Sequence, residues 1–415
     1  MKPETRRWID QDKAHCWHPF TQQAVWCFPE NEPLVLTGGE GVWLEDSEGR
    51  RYIDGNSSIW TNIHGHSHPR LNRVLQEQSE KVAHTSYLGF ANPVASELAE
   101  RLCGYFPLGT LERCFFSDNG STAIECALRM SWQYRQQTGE PGRKQVVAFE
   151  NGYHGDTLGA ASLGGVSKFT ARLAGMGLDV KRVSDVTGLM EGNAQTVSAV
   201  IIEPVIQGVN EMRPWRVGLL RELREWCDQN HVHLILDEVM TGFGRTGTMF
   251  ACEREQVVPD FLCLAKGLTG GYMPMAVTLT TDRIYRAFEG GAENVFYYGH
   301  SYTANQLGCA LALESLNIFQ EEEVLENLQG TIALFTEQLE ELRLLDRVAD
   351  VRQVGLIAGV ELGGRKGSEV CLALREHGVL TRPINDTVVL MPPLSISRAE
   401  LTQLTGALRQ VLADA

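Results

Sequence analysis

The middle of the chain alternates short, nearly continuous runs of β-branched and aliphatic residues with longer amphipathic stretches, and few folds accept that order. Gln145–Phe149, Ser198–Val205, His231–Val239 and Phe261–Ala265 read as strands, and Thr122–Gln137 and Leu219–Asn230 as helices. A strand apolar on both sides needs cover on both faces, so the pattern predicts an α/β fold with a mainly parallel sheet and helices above and below it. Ligands bind such sheets just past the carboxyl ends of the strands, and functional residues are expected there.

The last hundred residues follow another pattern. Gln306–Glu340 reads as helical, Val348–Leu362 and Thr387–Leu390 as strands, and Arg398–Leu412 as a closing helix, which describes a smaller α+β domain. The first sixty residues hold an aromatic-rich segment, Trp17–Phe20, and a hairpin of Gly41–Leu44 with Arg51–Ile53 about Asp46–Gly49. The expected organisation is therefore an N-terminal segment (1–60) packing with the small domain, a large domain (61–305) and a C-terminal small domain (306–415).

Thirty-seven Lys and Arg stand against 52 Asp and Glu, a net charge of −15, which argues against nucleic acid or an anionic membrane as partner. Met1–Lys13 is charged and lacks an apolar core, and no apolar run nears the ~18 residues of a membrane helix, so a cytoplasmic protein is expected. The ten cysteines are scattered from Cys16 to Cys371 without a C-x-x-C pair, and read as reduced residues rather than metal ligands.

Four strand ends carry chemistry. Leu234–Asp237 closes on two acids, Asp237 and Glu238, and runs into Thr241–Gly247. Phe261–Ala265 delivers Lys266 into Gly267–Gly271, where burial would lower the amine's pKa toward the range a nucleophilic lysine needs. Asp118–Glu125 opens a helix whose first N–H groups could hold a phosphate, although an ordinary N-cap reads equally well. Asn151–Asp156 offers the Tyr153 face to a flat heterocycle. Acid, lysine, phosphate site and aromatic platform together describe a pocket for pyridoxal phosphate.

Asp237–Gly247 followed by Cys263–Gly271 resembles the signature of the class III aminotransferases of fold type I, and the resemblance extends over nearly the whole chain. It implies a seven-stranded, mainly parallel sheet and a small α+β domain, with pyridoxal 5'-phosphate as cofactor. It also implies that Lys266 tethers the cofactor and moves the proton, Asp237 faces the pyridine nitrogen, Tyr153 stacks on the ring and Glu203 lies beside it. Gly120, Ser121 and Thr122 would hold the phosphate. A partner subunit would complete that site from the loop Gly299-His300-Ser301-Tyr302, which implies a homodimer; many relatives have Pro-Thr where this chain has His300-Ser301.

The segments Trp17–Thr21, Asp54–Trp60, Asn62–His66, Leu380–Pro383 and Met391–Pro393 are most similar to the branch of that family that aminates 8-amino-7-oxononanoate, using S-adenosylmethionine or, in one group, lysine as donor. That likeness makes Trp17, Phe20, Trp60, Tyr153, Gly299 and Arg382 candidates for substrate binding, with Arg382 clamping a carboxylate. Relatives acting on ornithine or 4-aminobutyrate carry a glutamate where this chain has Val209-Asn210, which counts against those activities. Another class III activity, on an ω-amino acid or diamine, is the nearest alternative.

Other readings are weaker. Gly242–Gly247 matches G-x-G-x-x-G, but Asp237–Thr241 separates it from its strand and no dinucleotide explains Lys266. His64, His66 and His68 alternate like metal ligands, yet Gly65, Ser67 and Pro69 suggest a turn and no carboxylate completes a set, so no metal is expected. A pyridoxal-phosphate-binding regulator would need a DNA-binding segment, which this acidic chain lacks.

Overall fold

The computed structural model describes residues 1–173 and 175–413. Its centre is a seven-stranded sheet of β1 (Leu111–Ser117), β2 (Gln145–Phe149), β3 (Val180–Val183), β4 (Val197–Ile202), β5 (His233–Asp237), β6 (Phe261–Leu264) and β7 (Ala276–Thr281), in the order β1-β7-β6-β5-β4-β2-β3. Pairing is parallel from β3 through β6, and only β7 runs antiparallel to its neighbours β6 and β1. The fold is α/β, fold type I.

Every residue of β4, β5 and β6 is buried, which explains why their sequences are unbroken apolar runs. Successive residues serve opposite faces. Ala199, Ile201 and Ile235 meet the helix α1 (Gly120–Gln137) through Ala123, Ile124 and Ala127. Val200, Ile202, Leu234 and Leu236 meet the opposite layer, including Leu223 and Cys227 of α2 (Leu219–Asn230).

Gln145–Phe149 forms as expected, whereas the other three expected strands overrun their ends by one to three residues. Ser198–Val205 stops at Ile202, with Val205 at φ 68°, and His231–Val239 starts at His233 because His231, at φ 54°, still caps α2. The sequence pattern missed β1, β3 and β7, whose runs are short, charged or threonine-rich. Gln306–Glu340 forms two helices, α3 (Gln306–Glu321) and α4 (Val324–Arg343), broken where Glu323 adopts φ 49°. Val348–Leu362 is a hairpin of Val348–Val354 and Ile357–Leu362.

The N-terminal hairpin pairs Trp43–Asp46 with Arg51–Asp54, two residues later than read on its first strand. Val379–Leu380 adds to it in parallel, Trp43 Nε1 donates to Glu400 Oε1 at 2.8 Å, and Met391 N donates to Gly55 O at 2.8 Å. The chain's two ends thus meet beside the carboxyl edge of the large sheet. Among the described residues no helix is long and apolar enough to cross a membrane.

Candidate active site

A cavity of about 430 Å³ opens beyond the carboxyl ends of β5 and β6, within the range of small-molecule sites. The parallel order dictates its walls, since each strand delivers its next residue to this edge. Asp237 ends β5, Lys266 follows β6, Glu203 follows β4, and Tyr153 lies four residues beyond β2.

Lys266 is half-buried in the cavity wall, and desolvation lowers its pKa from the ordinary lysine value to about 8; Asp237 and Glu203 oppose that shift, while Arg245 adds to it. Its backbone adopts φ 46°, a conformation that costs a non-glycine residue energy and recurs at functional sites. The ammonium stands 4.6 Å from the centroid of the Trp60 ring. Asp237 is 4% exposed; its Oδ1 accepts from Val239 N at 3.1 Å and its Oδ2 lies 2.7 Å from His154 Nδ1. Burial pushes Glu203 up to about 7, with Asp237 adding to the shift and His154 opposing it, while its oxygens accept from Tyr153 N at 3.1 Å and Gly208 N at 2.9 Å.

The start of α1 forms the opposite wall. Asn119 caps the helix by accepting from Thr122 N at 3.1 Å, so the N–H groups of Gly120 and Ser121 remain for a ligand. The approach here is too close for side chains. A Cβ on Gly120 would lie 2.7 Å from Val239 Cγ1, and one on Gly155 would collide with Ser121 Oγ. A helix start with free N–H groups, a buried carboxylate, a neutralisable lysine and an aromatic ring fit the phosphate, pyridine nitrogen, aldehyde and ring face of pyridoxal phosphate.

Of the residues singled out from sequence, Gly120, Ser121, Tyr153, Glu203, Asp237, Lys266 and Trp60 line this one cavity. Thr122 does not; its hydroxyl is used in the cap, accepting from Asn119 N at 3.0 Å and donating to Asn119 O at 2.8 Å. His300 lies just outside, its Nδ1 2.8 Å from Oδ2 of the cavity residue Asp118. Gly299 and Ser301 are exposed, and Ser301 O is 2.7 Å from His84 Nε2. Trp17 is 88% exposed, Phe20 is 65% exposed with its ring edge-on to Phe169, and Arg382 is exposed after Val379–Leu380. In the single chain none of these four elements forms the cavity wall.

The sequence reading missed the role of His154. Its signal is its place directly after Tyr153 at a strand end, which turns the imidazole onto Asp237 at the cavity wall. Two of the three histidines have other partners: His64 Nε2 pairs with Ser315 Oγ at 2.9 Å and His66 Nε2 with Asp54 Oδ2 at 3.0 Å. Among the described residues no group of three or more His, Cys, Asp or Glu side chains could hold a metal ion.

Comparison with known proteins agrees with this layout. Residues 28–412 match the family model "Aminotransferase class-III". The chain is similar to the adenosylmethionine-8-amino-7-oxononanoate aminotransferases of Nitratidesulfovibrio vulgaris (43% identity, covering 98% of this chain and 81% of the relative) and Geobacter sulfurreducens (40%, 98% and 97%). The solved structure of the enzyme so named from Methanocaldococcus jannaschii superposes with a TM-score of 0.95 at 38% identity, covering 99% of both chains. A PLP-bound amine transaminase from an uncultivated Pseudomonas species superposes with a TM-score of 0.90 at 32% identity, covering 96% and 98%. The chain belongs to the class III aminotransferases and is a pyridoxal 5'-phosphate-dependent enzyme of fold type I.

Proposed function

We propose that this enzyme transfers an amino group to 8-amino-7-oxononanoate, forming 7,8-diaminononanoate for biotin synthesis, with S-adenosylmethionine or lysine as donor. The observation that carries this reading is the end-to-end similarity to relatives that bear that one activity in their names, at 38–43% identity.

When bound, pyridoxal phosphate supplies an electron sink for the charge left on a carbon that loses its proton. The Lys266 amine removes that proton and returns one, a task suited to a base with a pKa of about 8. Asp237 keeps a proton on the ring nitrogen through a charge-assisted hydrogen bond worth about 1.5–3 kcal/mol, and His154 fixes the carboxylate's direction. Tyr153 covers one ring face; its hydroxyl donates to Asp156 Oδ2 at 2.6 Å, which holds the ring in place. Gly120 and Ser121 hold the phosphate at the start of α1, Thr122 completes the cap that leaves their N–H groups free, and Glu203 sits beside the ring.

The exposed Gly299 and Ser301, with the half-buried His300 between them, serve the phosphate site of a second subunit, and the working form is a homodimer in the cytoplasm. Trp60 lines the acceptor's path, and Trp17, Phe20 and Arg382 close over it, Arg382 pairing with the acceptor carboxylate. The similarity to an amine transaminase favours a second reading, another class III activity on an ω-amino acid or diamine.

The test is product mass after incubating the cofactor-loaded protein with 8-amino-7-oxononanoate, with S-adenosylmethionine or lysine in separate reactions. Diaminononanoate in one of them is expected and names the donor. Its absence from both, with cofactor bound, leaves the class intact and moves the function to the second reading.

A further inference from the structure

Four consecutive residues, Ser57, Ser58, Ile59 and Trp60, have φ values of 46°, 49°, 68° and 69° with no glycine among them. Single residues visit this left-handed region, but runs do not form readily because each Cβ crowds the following carbonyl oxygen. Here the run closes a left-handed helical turn. Trp60 N donates to Asn56 O and Thr61 N to Ser57 O, both at 2.9 Å.

Such backbone persists only where its surroundings over-determine it. Asp54, 3% exposed, accepts through Oδ1 from Ser58 N at 3.0 Å and through Oδ2 from Ser58 Oγ at 2.8 Å, with His66 Nε2 at 3.0 Å from the same oxygen. Ser57, fully buried, donates from Oγ to Met391 O at 2.6 Å. Trp60 Nε1 donates to Asn56 Oδ1 at 2.9 Å. The hairpin, the histidine loop and the C-terminal domain all hold this one turn.

The turn delivers a fixed aromatic wall. The Trp60 ring faces Lys266 on one side, and its far edge meets Gly208, where a Cβ would lie 3.3 Å from Trp60 Cζ3 and 2.5 Å from Met240 Sδ. Ile59, 41% exposed, stands next to it on the solvent side. A right-handed or extended backbone at these residues would turn the indole out of the cavity.

We propose that the left-handed turn Ser57–Trp60 sets which acceptors this enzyme takes, with Asp54 and Ser57 as positioning residues that hold the Trp60 wall against an aliphatic acceptor chain. The inference rests on the long-chain acceptor proposed above. A long chain gains contact along the whole of a fixed wall, whereas a small oxo acid meets only the part of it beside Lys266. Loosening the turn removes the advantage of the long acceptor but leaves Lys266 and Asp237 in place, so discrimination falls further than turnover.

The experiment compares cofactor-loaded wild type with Asp54→Asn, Ser57→Ala and Ile59→Gly. The glycine variant guards against misfolding, because glycine adopts this φ without penalty. kcat and KM are measured with 8-amino-7-oxononanoate and with pyruvate. In parallel, cofactor-free protein labelled with 5-fluorotryptophan is followed by 19F NMR, the Trp60 resonance being assigned by its loss in Trp60→Phe.

The expected result in Asp54→Asn and Ser57→Ala is a broadened or split Trp60 resonance and a fall of about tenfold or more in the ratio of kcat/KM for the long acceptor to that for pyruvate. That fall should come through KM, with kcat for the long acceptor within about threefold of wild type. Ile59→Gly, which keeps the turn, should stay near the wild-type ratio; an unchanged ratio in folded Asp54→Asn and Ser57→Ala overturns the inference, whatever the resonance does. If wild type gives no product from 8-amino-7-oxononanoate, the proposed function fails separately. The inference is then decided by the same ratio for straight-chain 2-oxo acids of increasing length.

Discussion

At the residue scale, the site depends on a lysine that gives up its proton at only mildly alkaline pH. Burial lowers the Lys266 pKa from 10.5 to about 8, so between those values the native state binds fewer protons at this residue than the unfolded chain. By itself, Lys266 therefore destabilises the cofactor-free fold at pH 7, and the penalty disappears as pH rises from about 8 through 10.5. Lys266→Met should raise the melting temperature of cofactor-free protein at pH 7, by up to about 3 kcal/mol in stability, with the gain vanishing near pH 11. A gain that does not shrink across that window would reflect packing alone. The same neutral amine should capture added pyridoxal phosphate at a rate that rises with a midpoint near pH 8. Stopped-flow absorbance reads this, and a midpoint near 10 would mean that the lysine is not desolvated.

At the scale of elements, the strand ends decide what is buried. Glu238, the residue after Asp237, points away from the cavity, and its carboxylate accepts from Ala251 N at 2.6 Å and Cys252 N at 2.8 Å, capping the short 3-10 helix Ala251–Glu255. Full burial pushes its pKa up to about 7, against the helix N–H groups that pull it down. A carboxyl raised in the native state contributes stability that is present below the unfolded value of about 4.5 and is lost as pH rises through about 7. Glu238→Gln should therefore flatten the pH dependence of stability over that interval relative to wild type. It should also cost about 1–3 kcal/mol at pH 5, because the amide NH₂ replaces an acceptor facing two N–H groups. Parallel stability curves for the two proteins from pH 4.5 to 7 would sink this.

The same scale explains what the sequence made legible. Strands β4 to β6 announce themselves because both faces are buried, and with them come Asp237 and Lys266, whereas Glu203 came forward through family likeness. The Glu322-Glu323 break between α3 and α4 and the turn Ser57–Trp60 carry no glycine or proline, so nothing local marks their positive φ. The turn is held by contacts distant in sequence: Ser57 answers to Met391, more than 300 residues away. His154 stayed hidden for a similar reason, since its role is set by the meeting of two strand ends. Trp17, Phe20 and Arg382 came forward through family likeness alone, and their positions on the surface of the single chain follow from neither periodicity nor spacing.

At the scale of the whole molecule, one buried cation joins parts of the chain that sequence reading treats as separate. Arg245, with no exposed surface, donates from Nη1 to Pro392 O at 2.6 Å and from Nη2 to Asn62 O at 2.7 Å, while its own carbonyl accepts from Leu356 N at 3.0 Å. The loop after β5 is thereby tied to the chain around Asn62 and to Leu356 and Pro392 of its last sixty residues. Burial pulls the guanidinium down to about 9, and the negative charge of Asp54 holds against it. The fit leaves no slack: Gly244 precedes it at φ 83°, and a Cβ there would lie 2.6 Å from Leu394 Cδ1. Arg245→Met would relieve the desolvation but leave the carbonyls of Asn62 and Pro392 buried without donors, each costing about 1–3 kcal/mol. For a chain of 415 residues the net loss should lower the thermal midpoint by roughly 2–6 °C. Arg245→Lys, with one compact donor group in place of a fork, should fall between the two. Because the lost bonds join the chain's ends to the sheet, limited proteolysis of the methionine variant should cut first between residues 55 and 65 or near Pro392. An unchanged midpoint and digestion pattern in the methionine variant would show that packing alone holds these parts together.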